Sequence, residues 1–160
     1  MARRTGDSRL GGGGGLRYEA MAASGTFWRV APVGVIRTPF SHVEDVPGVR
    51  GEPLTEEGTV EVFPAFEEAL QGVEGYSHLW LLFVLHCREG FSLLVPRRGT
   101  GPLRGLFATR CPCRPNPLGL TLVRLIERRG RLLEVVGVDM VNGTPLLDIK
   151  PYTPASDVPR

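Results

Sequence analysis

Three prolines, Pro112, Pro115 and Pro117, constrain the fold of this chain more than any other feature. Each ring fixes φ and removes a backbone N–H, so the stretch FATRCPCRPNPLG (107–119) fits neither a helix nor an inner sheet strand. It has to be a stiff, extended loop between two apolar runs. The loop carries Arg110, Arg114 and Asn116, two forked cations and an amide. Donors on a rigid backbone lose little freedom on binding, which suits them to hold a polar ligand. A proline-rich connector with solvated arginines fits the same residues, and the loop alone leaves both readings open.

On either side of the loop the apolar pattern is that of short strands. Phe27–Ile36 reads as a first strand region and Val60–Phe63 as a short one. Pro64–Leu70 reads as one or two helical turns with proline at the start. His78–His86 is nearly all apolar, as a strand buried on both faces would be. Leu93–Val95 and Leu106–Thr109 are short strand candidates, and Leu118–Glu127 with Leu132–Val138 flank a hairpin turn around Gly130. Short strands, frequent turn signals and little helix predict a mainly β domain: a small closed or nearly closed antiparallel β-barrel with one or two short helices. The domain is expected over residues 26–155, with a glycine-rich flexible tail at 1–25 and a short C-terminal tail at 156–160. Met21, just before the first apolar run, is an alternative start.

Composition excludes several classes. A chain of 160 residues with 42% apolar content can build a real core. The longest apolar stretch, Leu79–Leu85, is far short of a membrane span, and no apolar segment follows the N-terminal arginines, so neither membrane insertion nor a secretory leader is expected. Cys87, Cys111 and Cys113 are odd in number and suit reduced thiols in a cytoplasm better than a disulfide framework. Net charge is only +2, yet sign is segregated. Between Glu44 and Glu74 there are nine acids against Arg50, and between Arg97 and Arg131 nine arginines against Glu127. That clustering suggests a basic face able to meet phosphate, with solvated strand arginines as the competing reading.

Other segments carry candidate chemistry. Asp139 ends an apolar strand and Asn142-Gly143 is a turn pair. Asp139 suits acceptance from ribose hydroxyls or an amino group, or an ordinary Asx turn. Asp148 and Lys150 fall on one side of a strand, where they pair with each other or reach substrate. His78 and His86 bracket one strand at opposite ends and cannot share a metal from it. Cys111 and Cys113 offer two thiols where a closed zinc site needs four ligands, so no metal is expected. The Gly99–Gly101 pair is followed by Pro102 and not by a helix, so the dinucleotide reading fails.

Four segments occur in a telling order: VGVIRTPF (33–40), GYSHLWLLF (75–83) with His86, the proline loop, and Asp139 through GTPLLDIKPY (143–152). Together they resemble the TsaA/TrmO-like family of S-adenosylmethionine-dependent methyltransferases, over about residues 30–154. The resemblance implies a small β-barrel acting as a homodimer, with sites near the subunit interface. It implies methylation of N6 of threonylcarbamoyladenosine at position 37, in the anticodon loop of tRNA. The family's cofactor positions match Val49, His86, Cys87, Arg110, Leu120, Asp139, Met140, Val141 and Asn142. In that reaction Arg97, Arg98, Arg114 and Lys150 are expected to meet RNA phosphate, with Asn116 beside them on the loop. Proton removal from N6 falls to Asp139, Asp148 or His86, and the residues do not choose among them. The chain departs from the family pattern at Cys111 (usually serine), at Pro47-Gly48-Val49 (usually Pro-Arg-Gln) and at Asn142 (often aspartate), and it stops before the C-terminal region of longer members. A same-barrel methyltransferase on another small substrate, or a non-catalytic nucleotide- or nucleic-acid-binding barrel, are the alternatives.

Overall fold

A computed structural model describes residues 18–21, 27–47, 54–96 and 101–159. Ten strands follow in chain order: β1 (Tyr18–Met21), β2 (Phe27–Val30), β3 (Gly34–Arg37), β4 (Glu57–Val62), β5 (His78–Val84), β6 (Leu94–Pro96), β7 (Leu103–Gly105), β8 (Leu118–Arg129), β9 (Leu132–Val136) and β10 (Thr144–Pro151). Six of them close into an antiparallel barrel in the order β10-β3-β4-β9-β8-β5, with β5 pairing back onto β10. The mainly β barrel expected from the strand pattern is therefore fully closed. Among the described residues helix is limited to short 3₁₀ turns, the longest at Pro64–Leu70, and to α1 (Pro154–Asp157).

A barrel of so few strands is too narrow to hold a ligand and is filled by side chains. Period-two alternation supplies them: Val60 and Val62 of β4, Leu79, Leu81 and Phe83 of β5, Val123 of β8, and Leu133 and Val135 of β9 are all buried. Ile36 and Leu146 complete the same core cluster. Turn chemistry fixes the connections. Gly130 takes a φ of 61° between β8 and β9, and Gly143 a φ of 81° just before β10, conformations that cost a residue with a Cβ.

Several local readings are corrected. Phe27–Ile36 is two strands: β2 pairs with β1 outside the barrel, and only β3 joins it. Tyr18–Met21 lies within the segment expected as a tail, whose residues 1–17 and 22–25 fall outside the described residues. Leu106–Thr109 is not a strand. Leu106 is buried, Phe107 is 78% exposed, and the Thr109 hydroxyl donates to the Leu106 carbonyl at 2.8 Å, curling the segment into a 3₁₀ turn. The outward face of β5 is only partly covered: Trp80 and Leu82 are half-buried, while Val84 on the same face is fully buried.

Close approach of strands makes Gly34 a test of this packing. A Cβ there would run into the backbone carbonyl oxygen of Glu61 and lie 3.1 Å from the Val62 Cα on β4. Backbone cannot step aside as a side chain can. Gly34→Ala should lower unfolding stability by about 1–3 kcal/mol, read as a lower urea midpoint at unchanged slope.

Candidate functional site

Strand register decides where a site can form. Thr144 pairs with Ile36, Leu146 with Phe83, and Phe83 with Gly119, so the end of β5 and the starts of β8 and β10 meet at one end of the barrel. There the segments around Val46, His86, Arg110 and Asp139 enclose a cleft of about 560 Å³. That is the size of a small-molecule site. Its walls are mostly apolar, with Trp80, Leu118, Leu120 and Val141 among them.

The proline loop forms one wall and is braced from within. The Arg114 guanidinium donates to the Thr109 carbonyl at 3.0 Å and to the Cys111 carbonyl at 3.3 Å, and it lies 5.7 Å from the centroid of the Phe107 ring. The Leu85 N–H donates to the Pro117 carbonyl at 2.8 Å, carrying the β5–β8 ladder into the loop. Arg110 is exposed and lines the cleft.

Two threonines are the buried polar residues among the described residues, Thr121 at 6% and Thr144 at 2% exposure, and both line the cleft. The Thr121 hydroxyl donates to Asp139 Oδ1 at 2.6 Å. Burial pushes the Asp139 carboxyl above the ordinary carboxylate range, while the Thr121 hydroxyl, its own backbone N–H and the Arg110 charge pull it back. Thr144 Oγ1 donates to the Val141 carbonyl at 2.6 Å and lies 3.5 Å from His86 Nδ1.

Of the residues singled out in the sequence, His86, Cys87, Arg110, Arg114, Leu120, Asp139, Met140 and Val141 line this one cleft. Asn142 does not: its side-chain oxygen accepts the Thr38 N–H at 3.2 Å and it holds the turn. Asp148 and Lys150 pair with each other at 2.7 Å, away from the cleft. Asn116 is exposed on the loop outside it, and Val49, Arg97 and Arg98 lie outside the described residues. Three arginines of the run are ion-paired: Arg128 meets Glu74 at 3.3 Å, Arg129 meets Glu127 at 2.6 Å and Arg131 meets Glu61 at 2.8 Å. Two of these pairs, Arg128–Glu74 and Arg131–Glu61, join the basic segment to the acidic one, while Arg129 and Glu127 are neighbours on β8.

Arg88, Trp80, Thr121 and Thr144 line the cleft without having been picked out. Threonine in an apolar strand reads as an ordinary β-former, and only the partner brought by the fold gives it a task. Among the described residues no three His, Cys, Asp or Glu come together as a metal site, and no helix is long and apolar enough to cross a membrane.

The barrel is filled by its own side chains, and the ligand-sized, mostly apolar cleft at its end carries one partly buried carboxyl, Asp139, with the guanidinium groups of Arg88, Arg110 and Arg114. The family model described as the tRNA-methyltransferase O N-terminal domain matches residues 35–158, and this chain belongs to that family. A probable S-adenosyl-L-methionine-binding protein of Pyrococcus abyssi is 47% identical over 127 residues, covering 79% of this chain and 69% of that protein. The tRNA (adenine(37)-N6)-methyltransferase of Escherichia coli is 38% identical, covering 78% of this chain but only 57% of its own length. A crystal structure of TrmO from Pseudomonas aeruginosa superposes with a TM-score of 0.67 at 40% identity, over 81% of this chain and 58% of that one.

The Asp139 environment makes a signed prediction. Its folded pKa lies above the ordinary value, so its contribution to stability is full below the unfolded pKa, about pH 4, and is lost as pH rises through the raised value. Asp139→Asn removes that loss while keeping an oxygen for Thr121. Its melting temperature at pH 7 should exceed that of the native chain by a few degrees, with the gap closing in acid, as calorimetric scans across pH would show.

Proposed function

We propose that this chain is an S-adenosylmethionine-dependent methyltransferase that methylates N6 of threonylcarbamoyladenosine at position 37 of tRNA. The observation that carries the reading is the presence of the Arg110 cation and the partly buried Asp139 carboxyl in a single cleft, on segments that match the family model. Relatives named as S-adenosyl-L-methionine-binding proteins and as tRNA (adenine(37)-N6)-methyltransferases support the same chemistry and the same target class.

The cleft fits the cofactor by charge and volume. Arg110 suits its carboxylate, and Asp139 suits its ammonium or its ribose hydroxyls. Leu120, Met140 and Val141 supply apolar contact, with His86 and Cys87 at the end of β5. When bound, the cofactor supplies a methyl group activated by a sulfonium. The protein then has mainly to align the nucleophilic nitrogen and accept its proton.

Arg88 and Arg114 at the cleft, with Arg97 and Arg98, are the cations proposed to meet RNA phosphate. Lys150 is already paired with Asp148 and is the weaker candidate. Anticodon-loop bases are unpaired, so the target base needs no extraction from a helix. The unit proposed to act is the 26–155 barrel, in the cytoplasm, where free thiols such as those of Cys87, Cys111 and Cys113 persist.

A homodimer is part of this reading. β6 and β7 form a two-stranded ribbon, and the pairing of Leu94 with Gly105 and Pro96 with Leu103 places Leu94 and Leu103 on one face. Those leucines are 58% and 65% exposed. A two-stranded ribbon is marginal in water unless something covers its apolar face, and a second copy would do so.

Two measurements test the function. Calorimetry should find S-adenosylmethionine binding that Arg110→Ala weakens about ten- to hundredfold, the range for hydrogen bonds to a charged group. Labelled methyl should pass from the cofactor to tRNA carrying threonylcarbamoyladenosine and not to tRNA lacking it. Unchanged affinity in the folded variant would remove Arg110 from the site, and absence of transfer would sink the substrate assignment.

A further inference from the structure

We infer that Thr144 is a positioning residue that fixes His86 as its Nδ1–H tautomer and so leaves Nε2 as the proton acceptor of the methyl-transfer site, an assignment that rests on the functional reading above. A threonine hydroxyl has one proton to give. Thr144 commits it to the Val141 carbonyl at 2.6 Å. It therefore has only lone pairs left for His86 Nδ1, 3.5 Å away, and the proton in that contact sits on the ring. A neutral imidazole with Nδ1–H has a bare Nε2. Thr144 is almost fully buried, so Nδ1 is tied to the barrel side, and Nε2, across the ring, is left for the cleft that His86 lines.

The arrangement also suits the protonated ring. The imidazolium keeps Nδ1–H toward Thr144 Oγ1, which keeps its own proton on the Val141 carbonyl, so no group has to turn when charge appears. The other two candidates are committed elsewhere. Asp148 is ion-paired with Lys150 outside the cleft. Asp139 already accepts the Thr121 hydroxyl proton at 2.6 Å on one carboxylate oxygen and shares the cleft with Arg110, a place that suits it to hold a ligand. In the step itself the substrate nitrogen keeps the electron pair of its N–H bond and uses a pair to take the methyl group. The carbon–sulfur pair stays on sulfur, and the proton passes to Nε2 and then to water. The charged and titratable groups sharing the cleft with His86 are Asp139, Arg88, Arg110, Arg114, Cys87 and Cys111.

Nitrogen-15 NMR of the intact, ligand-free protein reads the tautomer directly, with His86→Gln identifying the signals. The native chain should show Nδ1 protonated and Nε2 bare. Thr144→Val removes the hydroxyl but leaves the Val141 carbonyl its bond from the backbone N–H of position 144, now 3.2 Å, so the fold has no orphaned group to answer for. That variant should shift toward the Nε2–H form, and Thr144→Ser should restore the native spectrum. In methyl transfer, His86→Gln should lose about 10²-fold or more in kcat. Thr144→Val should lose less, with the acidic limb of its pH profile displaced and cofactor affinity nearly unchanged, and Thr144→Ser should recover both. An Nε2–H ring in the native chain, a tautomer indifferent to Thr144→Val, or a His86→Gln variant with native kcat would each overturn the inference. Absence of tRNA methylation by the native chain would overturn the functional reading and the acceptor role together, whereas the spectra decide the role of Thr144 by themselves.

Discussion

The pairing of β10 with β5 turns a row of strands into a ring, and the rest of the molecule depends on it. An open sheet of these strands would present two unpaired edges. Closure satisfies both and, through its register, sets Thr144, Phe83 and Gly119 side by side at one end. The register shifts between Leu146 and Asp148, so the outer half of β10 is re-aimed relative to the half that borders the cleft. Asp148 and Lys150 end up facing each other, while Thr144 ends up facing His86. The site is thus a property of the closed ring and not of any one segment.

Much of this was legible in the residues, and the failures have physical causes. Alternating apolar positions, Gly130 and Gly143 announced strands and turns, and the prolines announced the rigid wall. Ring order was not legible, because period two says which face a residue takes but not which strand lies beside it. Leu106–Thr109 read as a strand since its side chains are apolar or β-branched; a hydroxyl bonding back three residues overrode that preference. The cleft-lining residues singled out in advance, His86, Cys87, Arg110, Leu120, Asp139, Met140 and Val141, came from the family resemblance and not from any periodicity. Thr121 and Thr144 were missed because their partners lie 18 and 58 residues away.

Placing two hydroxyls in the core is itself informative. Buried polar groups are tolerated only with partners, and both threonines donate at 2.6 Å. Each spends its single proton on one oxygen, which settles the direction of the bonds around it. A cleft wall built this way has its dipoles oriented before any ligand arrives, so binding need not reorganise it.

The ion pairs of the arginine run bear on how long a nucleic acid would stay. Arg128, Arg129 and Arg131 already have carboxylates against them, so fewer cations remain to displace counterions from phosphate than the arginine count implies. Attraction to polyanions in general is correspondingly shallow. Retention would then depend on the fit of one loop in one cleft, and an ill-fitting RNA would leave quickly. If the proposed reaction on transfer RNA is this chain's task, brief residence on the wrong members of a set of similar RNAs is an advantage, and ion pairs within its own surface favour it.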